Sequence, residues 1–110
     1  MPFVKISTTG SQGLASVPLG SGRRIRVVNY VIVASAACSV QFQQVYSPAA
    51  YIAPITGGMS IAANGGISAS GTGLGPNGFF GLFETGADYD TLAIYTSGAQ
   101  ISGHLGYVII

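Results

Sequence analysis

The chain has 110 residues, with Lys+Arg 4, Asp+Glu 3 and one histidine; it is 48% hydrophobic but only 6% charged. That length allows one domain around one core, the net charge of +1 lacks the basic excess of a nucleic-acid binder, and the single cysteine, Cys38, excludes an intramolecular disulfide framework. An average soluble domain is about 25% charged, so a surface in which Gly, Ser, Thr, Ala, Asn and Gln replace the charges has little to keep copies apart, and the expectation is an assembled protein, not a free monomer.

The opening MPFVKISTTG has one charge and no long apolar stretch, so it does not read as a secretory signal, and a cytoplasmic start is expected. Pro2 to Ser7 is predicted as a strand, with Pro2 to Lys5 as a short N-terminal arm, and Leu14 to Leu19 as a second strand after the turn signal TTGSQG. The stretch RRIRVVNYVIVASAACSVQF follows. Its basic start and apolar continuation resemble an export signal, but it begins deep in the chain. The run from Val27 to Cys38 is also too short and too polar for a membrane span, which needs about 20 mainly apolar residues.

Val27, Val28, Tyr30, Val31, Ile32 and Val33 are β-branched or aromatic and suit a pleated surface. A strand starting at Arg24 is therefore expected, with a small-residue turn at Ala34 to Ala37 and a returning strand from Cys38 to Tyr46, the two forming a β-hairpin. One face of the first strand would carry Ile25, Val27, Asn29, Val31 and Val33, and the other Arg24, Arg26, Val28, Tyr30, Ile32 and Ala34. Both are largely apolar, which calls for a second cover, either a loop of the same chain or a neighbouring subunit.

Further strands are predicted at Tyr51 to Thr56, Met59 to Ala62, Gly81 to Thr85, Thr91 to Thr96 and Gln100 to Ile110. The Gly-rich segment 63–78, ANGGISASGTGLGPNG, reads as a flexible loop, whether a functional one or a plain crossover. The last two strands are expected to form a hairpin with Leu92, Ile94 and Thr96 alternating, then Ile101, Gly103, Leu105, Tyr107 and Ile109. Ending in YVII with Val108 and Ile110 on the opposite face, that strand would be an uncharged edge in need of a partner. No segment shows helical periodicity. The fold class is all-β: a single-domain antiparallel β-sandwich, jelly-roll-like.

Catalytic constellations are sparse. His104 lies mid-strand in SGHLGY and reads as structural, Cys38 as a small apolar residue, and neither has a catalytic partner by sequence. GLGPNG at 73–78 matches G-x-G-x-x-G, but Pro76 interrupts it and no helix follows, so it is set aside. Glu84, Asp88 and Asp90 in ETGADYD could offer oxygen ligands to a hard cation, though without an established loop spacing; a solvated turn is the default. No catalytic, cofactor or metal site is assigned. Arg23, Arg24 and Arg26 are expected to pair with acidic residues on a partner or on another copy. Tyr46, Tyr51, Phe79, Phe80, Tyr89 and Tyr95 flank turns and could form a sugar-binding platform or serve as core lids.

The segments IRVVNYVIVASAACSVQFQ, GGMSIAANGGISASG and GLFETGADYDTLAIYTSGAQISGHLGYVI, with LFET, the D-x-L-x-I strand start at Asp90 and ISGHLGY as their most distinctive parts, resemble small virion proteins of tailed bacteriophages of the capsid decoration, or cement, type. The resemblance implies a non-enzymatic β-sandwich, a homotrimer assembled in the bacterial cytoplasm, seated on the outer capsid surface against the major capsid protein, with neither nucleic acid nor membrane as partner. A tail-fibre or other virion component, and a carbohydrate-binding β-sandwich module, are the alternatives. Candidate capsid or subunit contacts are Phe3 and Lys5 of the N-terminal arm, Arg23, Arg24 and Arg26, and Val108 and Ile110 of the last strand.

Overall fold

The computed structural model describes residues 2–71 and 81–110. Among them run the strands β1 (Phe3–Thr8), β2 (Ser11–Ser16), β3 (Ile25–Ala34), β4 (Cys38–Tyr46), β5 (Tyr51–Pro54), β6 (Met59–Ile61), β7 (Gly66–Ser70), β8 (Phe83–Glu84), β9 (Thr91–Thr96) and β10 (Ile101–Ile109), with one 3-10 turn at Ser47–Ala49. One sheet has the order β1-β10-β3-β7, with β8 also on β3; the other has β2-β9-β4-β5, with β6 also on β4. All pairings are antiparallel. We refer to these as the first and second sheet.

Each outer strand opposite β3 and β4 is broken. β5 and β6 together cover one edge of β4, and the Phe42 carbonyl bridges the gap by accepting from the amides of Ile55 and Thr56 at 2.9 and 3.3 Å. β7 and β8 cover β3 in the same way, with Gly71 and Leu82 donating to the carbonyls of Val28 and Val27. Counting each pair as one interrupted strand leaves an eight-stranded, two-sheet sandwich in which sequence neighbours face each other across the core, the jelly-roll arrangement.

The expected alternation is present. Val40, Phe42, Leu92, Ile94, Ile101 and Leu105 are fully buried, and Thr96 is 1% exposed. Side chains of both sheets meet in one cluster that also takes in Ile6, Ile25, Val27, Ile32 and Ala34. Burying each large aliphatic or aromatic side chain contributes about 1.5–3 kcal/mol. Tyr30, Phe42 and Phe83 meet in series as tilted rings, each pair at a centroid separation of 5.1 Å.

Five expectations are corrected. The two proposed hairpins do not exist: β3 and β10 belong to the first sheet, β4 and β9 to the second. The links 35–37 and 97–100 are arches over the end of the core, and period-2 alternation is identical for an arch and a hairpin because both place the same side chains inward. The faces of β3 also exchange partway. Gly106 pairs with Asn29 but Tyr107 with Val27, so Val28 is an extra residue, a β-bulge. The inward set is therefore Ile25 and Val27, then Tyr30, Ile32 and Ala34, while Val31 and Val33 face out.

The final strand is not an edge, since β10 pairs with β1 on one side and β3 on the other. Phe3 and Lys5 are accordingly not in a separate arm but in β1, the edge strand of the first sheet. Two of its outer backbone groups are occupied: the Gln12 side chain accepts from the Ser7 amide at 2.9 Å and donates to the Lys5 carbonyl at 2.8 Å, which blunts part of that edge against pairing with another chain. Within the Gly-rich segment, residues 66–70 form β7, and 72–78 lie outside the described residues. Only Ile67 in β7 is large; its pairing comes from backbone, helped at Gly66, where a Cβ would meet the Ile32 carbonyl oxygen at 2.8 Å.

Candidate functional site

Most of the outward face of the first sheet is built from three registered rows across β1, β10, β3 and β7: Phe3, Gly106, Asn29, Ser70; Lys5, His104, Val31, Ser68; and Ser7, Ser102, Val33, Gly66. Phe3 is 67% exposed, Val33 50% and Val31 38%. Lys5 is the one residue in these rows that carries a charge at any ordinary pH, and the Phe3 ring meets the His104 ring edge-on at 6.1 Å. The second cover sought for β3 is thus not supplied over Val31 and Val33 by the described residues, and the two valines are 38% and 50% exposed.

The basic cluster finds its acid within its own chain. β8 lies beside β3 with Glu84 opposite Arg26, and the Glu84 carboxylate takes Arg24 at 3.3 Å and Arg26 at 3.2 Å. The expectation of a partner chain is corrected for these two arginines; Arg23 is exposed. The rest of LFET serves the same seam. Leu82 and Phe83 pack on the core, while the buried Thr85 hydroxyl accepts from the Ile25 amide at 3.1 Å and the Thr85 amide donates to the Ile25 carbonyl at 3.0 Å. Val108, opposite Arg26, is half-buried and Ile110 is exposed; the Ile110 backbone is tied to Arg24 in both directions.

The three carboxylates are dispersed. Glu84 is engaged by the arginines, Asp90 accepts from the Ser47 amide at 2.9 Å, and Asp88 is exposed. Among the described residues no group of three or more His, Cys, Asp or Glu side chains is placed to hold a metal ion. His104 lies on the outer face of the first sheet, whereas Cys38 packs against the core from the second.

A second feature forms where three connections converge at one end of the sandwich. Leu19 and Gly20 from 17–24, Tyr46 and Tyr51 on either side of the 3-10 turn, and Ala87, Asp88 and Tyr89 from 85–90 line a depression of about 490 Å³. Antiparallel pairing sets Tyr46 opposite Tyr51, and Tyr51 stacks on Tyr89 at 6.2 Å with 27° between the rings. Asp90 holds the three connections together. Its carbonyl accepts from Val17 at 2.8 Å and its amide donates to Val45 at 3.0 Å, while its carboxylate takes the Ser47 amide. That last bond, assisted by the hydroxyls of Ser47 and Thr91 and opposed by partial desolvation, holds the Asp90 carboxyl below the ordinary aspartate range. The Gln44 side chain accepts from Gly86 at 2.7 Å and anchors the far connection.

Of the aromatic residues marked in the sequence, Tyr46, Tyr51 and Tyr89 are thus brought together. Tyr95 lies elsewhere, on the outward face of the second sheet opposite Gln41 and Ser11, and Phe79 and Phe80 lie outside the described residues. Sequence reasoning missed Leu19 and Asp88 as members of this site; the available signal was three tyrosines each beside a turn, but nothing local says that the turns share one end.

No protein-family model matches the chain, and no curated protein matches it.

Proposed function

We propose that this protein is a non-enzymatic structural component of a bacteriophage virion that coats the capsid as a homo-oligomer and stabilises it by contact alone. The observation that carries this reading is the part of the first sheet's outward face spanned by the three registered rows, with Phe3, Val31 and Val33 exposed and Lys5 as the one permanent charge in the rows. A face of this kind loses little on desolvation, and burying it contributes about 25 cal/mol per Å² of apolar area. The 6% charge content of the whole chain agrees with such a role. Symmetry then multiplies weak contacts into a stable coat. Because Arg24 and Arg26 are occupied by Glu84, the contact surface is assigned to Phe3, Val31 and Val33 in preference to the arginines.

The test is copurification with intact phage particles in a copy number that matches capsid symmetry, together with the oligomeric state of the isolated chain by light scattering. Val33→Asp places a charge on the exposed face without touching the core; it is expected to abolish particle occupancy or self-association while the circular dichroism spectrum stays that of the parent. Full occupancy by this variant would remove the face from the proposal, and absence of the chain from particles would remove the virion role.

A further inference from the structure

We propose that the tyrosine-lined depression is a binding site for neutral oligosaccharides. It goes beyond the virion reading and does not depend on it, since the site lies at the end of the sandwich and not on the outward face of the first sheet.

Shape and chemistry both point this way. The depression, about 490 Å³, falls within the roughly 300–1,000 Å³ of small-molecule sites. Tyr46 and Tyr51 are 39% and 57% exposed, and Leu19, also exposed, adds an apolar rim. Aromatic faces carry partial negative charge, and the C–H groups on one side of a pyranose ring carry partial positive charge, so a sugar settles flat on a tyrosine. Its hydroxyls need acceptors at the margin. Asp88 lines the depression, and no described residue hydrogen-bonds its carboxylate, which can accept two hydroxyl donors from one ring.

Other ligand classes fit less well. Nucleotides stack on aromatic residues but also require cations for their phosphates, and the lining has Asp88 where a cation would be needed. The same charge disfavours sialylated and uronic sugars. A quaternary ammonium ion would suit the carboxylate, but an aromatic cage needs ring faces that converge on one point, whereas Tyr51 and Tyr89 lie stacked 27° from parallel, their faces turned to each other. The site is also preformed, because Asp90 and Gln44 hold its walls by bonds to the backbone, so little ordering opposes binding.

The chain has six tyrosines and no tryptophan, so its intrinsic emission reports on tyrosine environments directly. The full chain is titrated with maltotriose, cellotriose, chitotriose and mannotriose, with sialyllactose and choline alongside, and read by tyrosine emission and saturation-transfer NMR. At least one neutral trisaccharide is expected to bind at millimolar concentration or below, with affinity reduced about tenfold or more in Tyr51→Ala and in Asp88→Asn and unchanged in Tyr95→Ala. Asp88 is exposed, so Asp88→Asn tests the site even if Tyr51→Ala perturbs the fold. The proposal is overturned if no neutral trisaccharide binds, if binding survives both substitutions, or if sialyllactose or choline binds more tightly than every neutral sugar.

Discussion

The two ends of the sandwich use the same strands and end them differently. At one end the sheets are joined by the short links 9–10, 35–37, 62–65 and 97–100; at the other, the connections 17–24, 47–50 and 85–90 gather into the tyrosine-lined depression. The short-linked end is held by close backbone approach. Gly103, at φ +154°, has no room for a Cβ against the Val31 carbonyl oxygen, and Gly66 closes on Ile32. The long-linked end is held by side chains that reach backbone: Thr85 to Ile25, Asp90 to Ser47, Gln44 to Gly86. Among the described residues, each end also has one non-glycine residue in the left-handed region: Asn64, a residue type that tolerates it, and Ala50, which does not. Strain and chain length to spare thus coincide with the candidate binding site, as is common where a rigid scaffold presents a functional surface.

This contrast can be broken from either end. The largest effect is expected from Gly103→Ala, where the new Cβ collides with β3 backbone; a loss above about 4 kcal/mol, or failure to fold, should appear in urea unfolding. Next is Thr85→Val, which keeps the shape but leaves the buried Ile25 amide without its acceptor and is expected to cost about 1–3 kcal/mol. Wild-type stability in this variant would show that the long-linked end does not depend on its side-chain pins.

Asp90→Ala removes the acceptor for Ser47 and is expected to cost about 1 kcal/mol or less, with larger changes in the NMR shifts of 17–24 and 47–50 than elsewhere. The pH dependence has a defined sign. Because the folded-state pKa of Asp90 is depressed, its contribution is complete above the unfolded value of about 4 and is lost as pH falls through the depressed one. Asp90→Ala should flatten the acid limb of the stability profile, and an unchanged limb would count against the pin. The smallest effect is expected from Ala50→Gly, which relieves the left-handed strain at φ 51° and should raise stability by up to about 1 kcal/mol; the same exchange at Asn64 should gain less.

Much of the core was legible beforehand because strand alternation is a local property: Leu92, Ile94 and Thr96, or Ile101 and Leu105, lie inward whatever sheet they join. The candidate site was legible only as loose parts, three tyrosines beside turns. Their convergence depends on β4 pairing with β5 and on Asp90 tying 85–90 to both neighbours, contacts between residues far apart in the chain.

Composition, charge depletion and residue alternation by themselves determined an all-β, single-core sandwich and the inward positions of β4, β9 and β10, since these follow from side-chain chemistry and the two-residue period of a strand. Tertiary structure alone decided that the apparent hairpins are arches, that Val28 is a bulge that turns Val31 and Val33 outward, that β10 is internal, and that Glu84 pairs with both Arg24 and Arg26. Each of these depends on which distant strand lies alongside, and a strand's own residues are compatible with several neighbours until the whole core has closed.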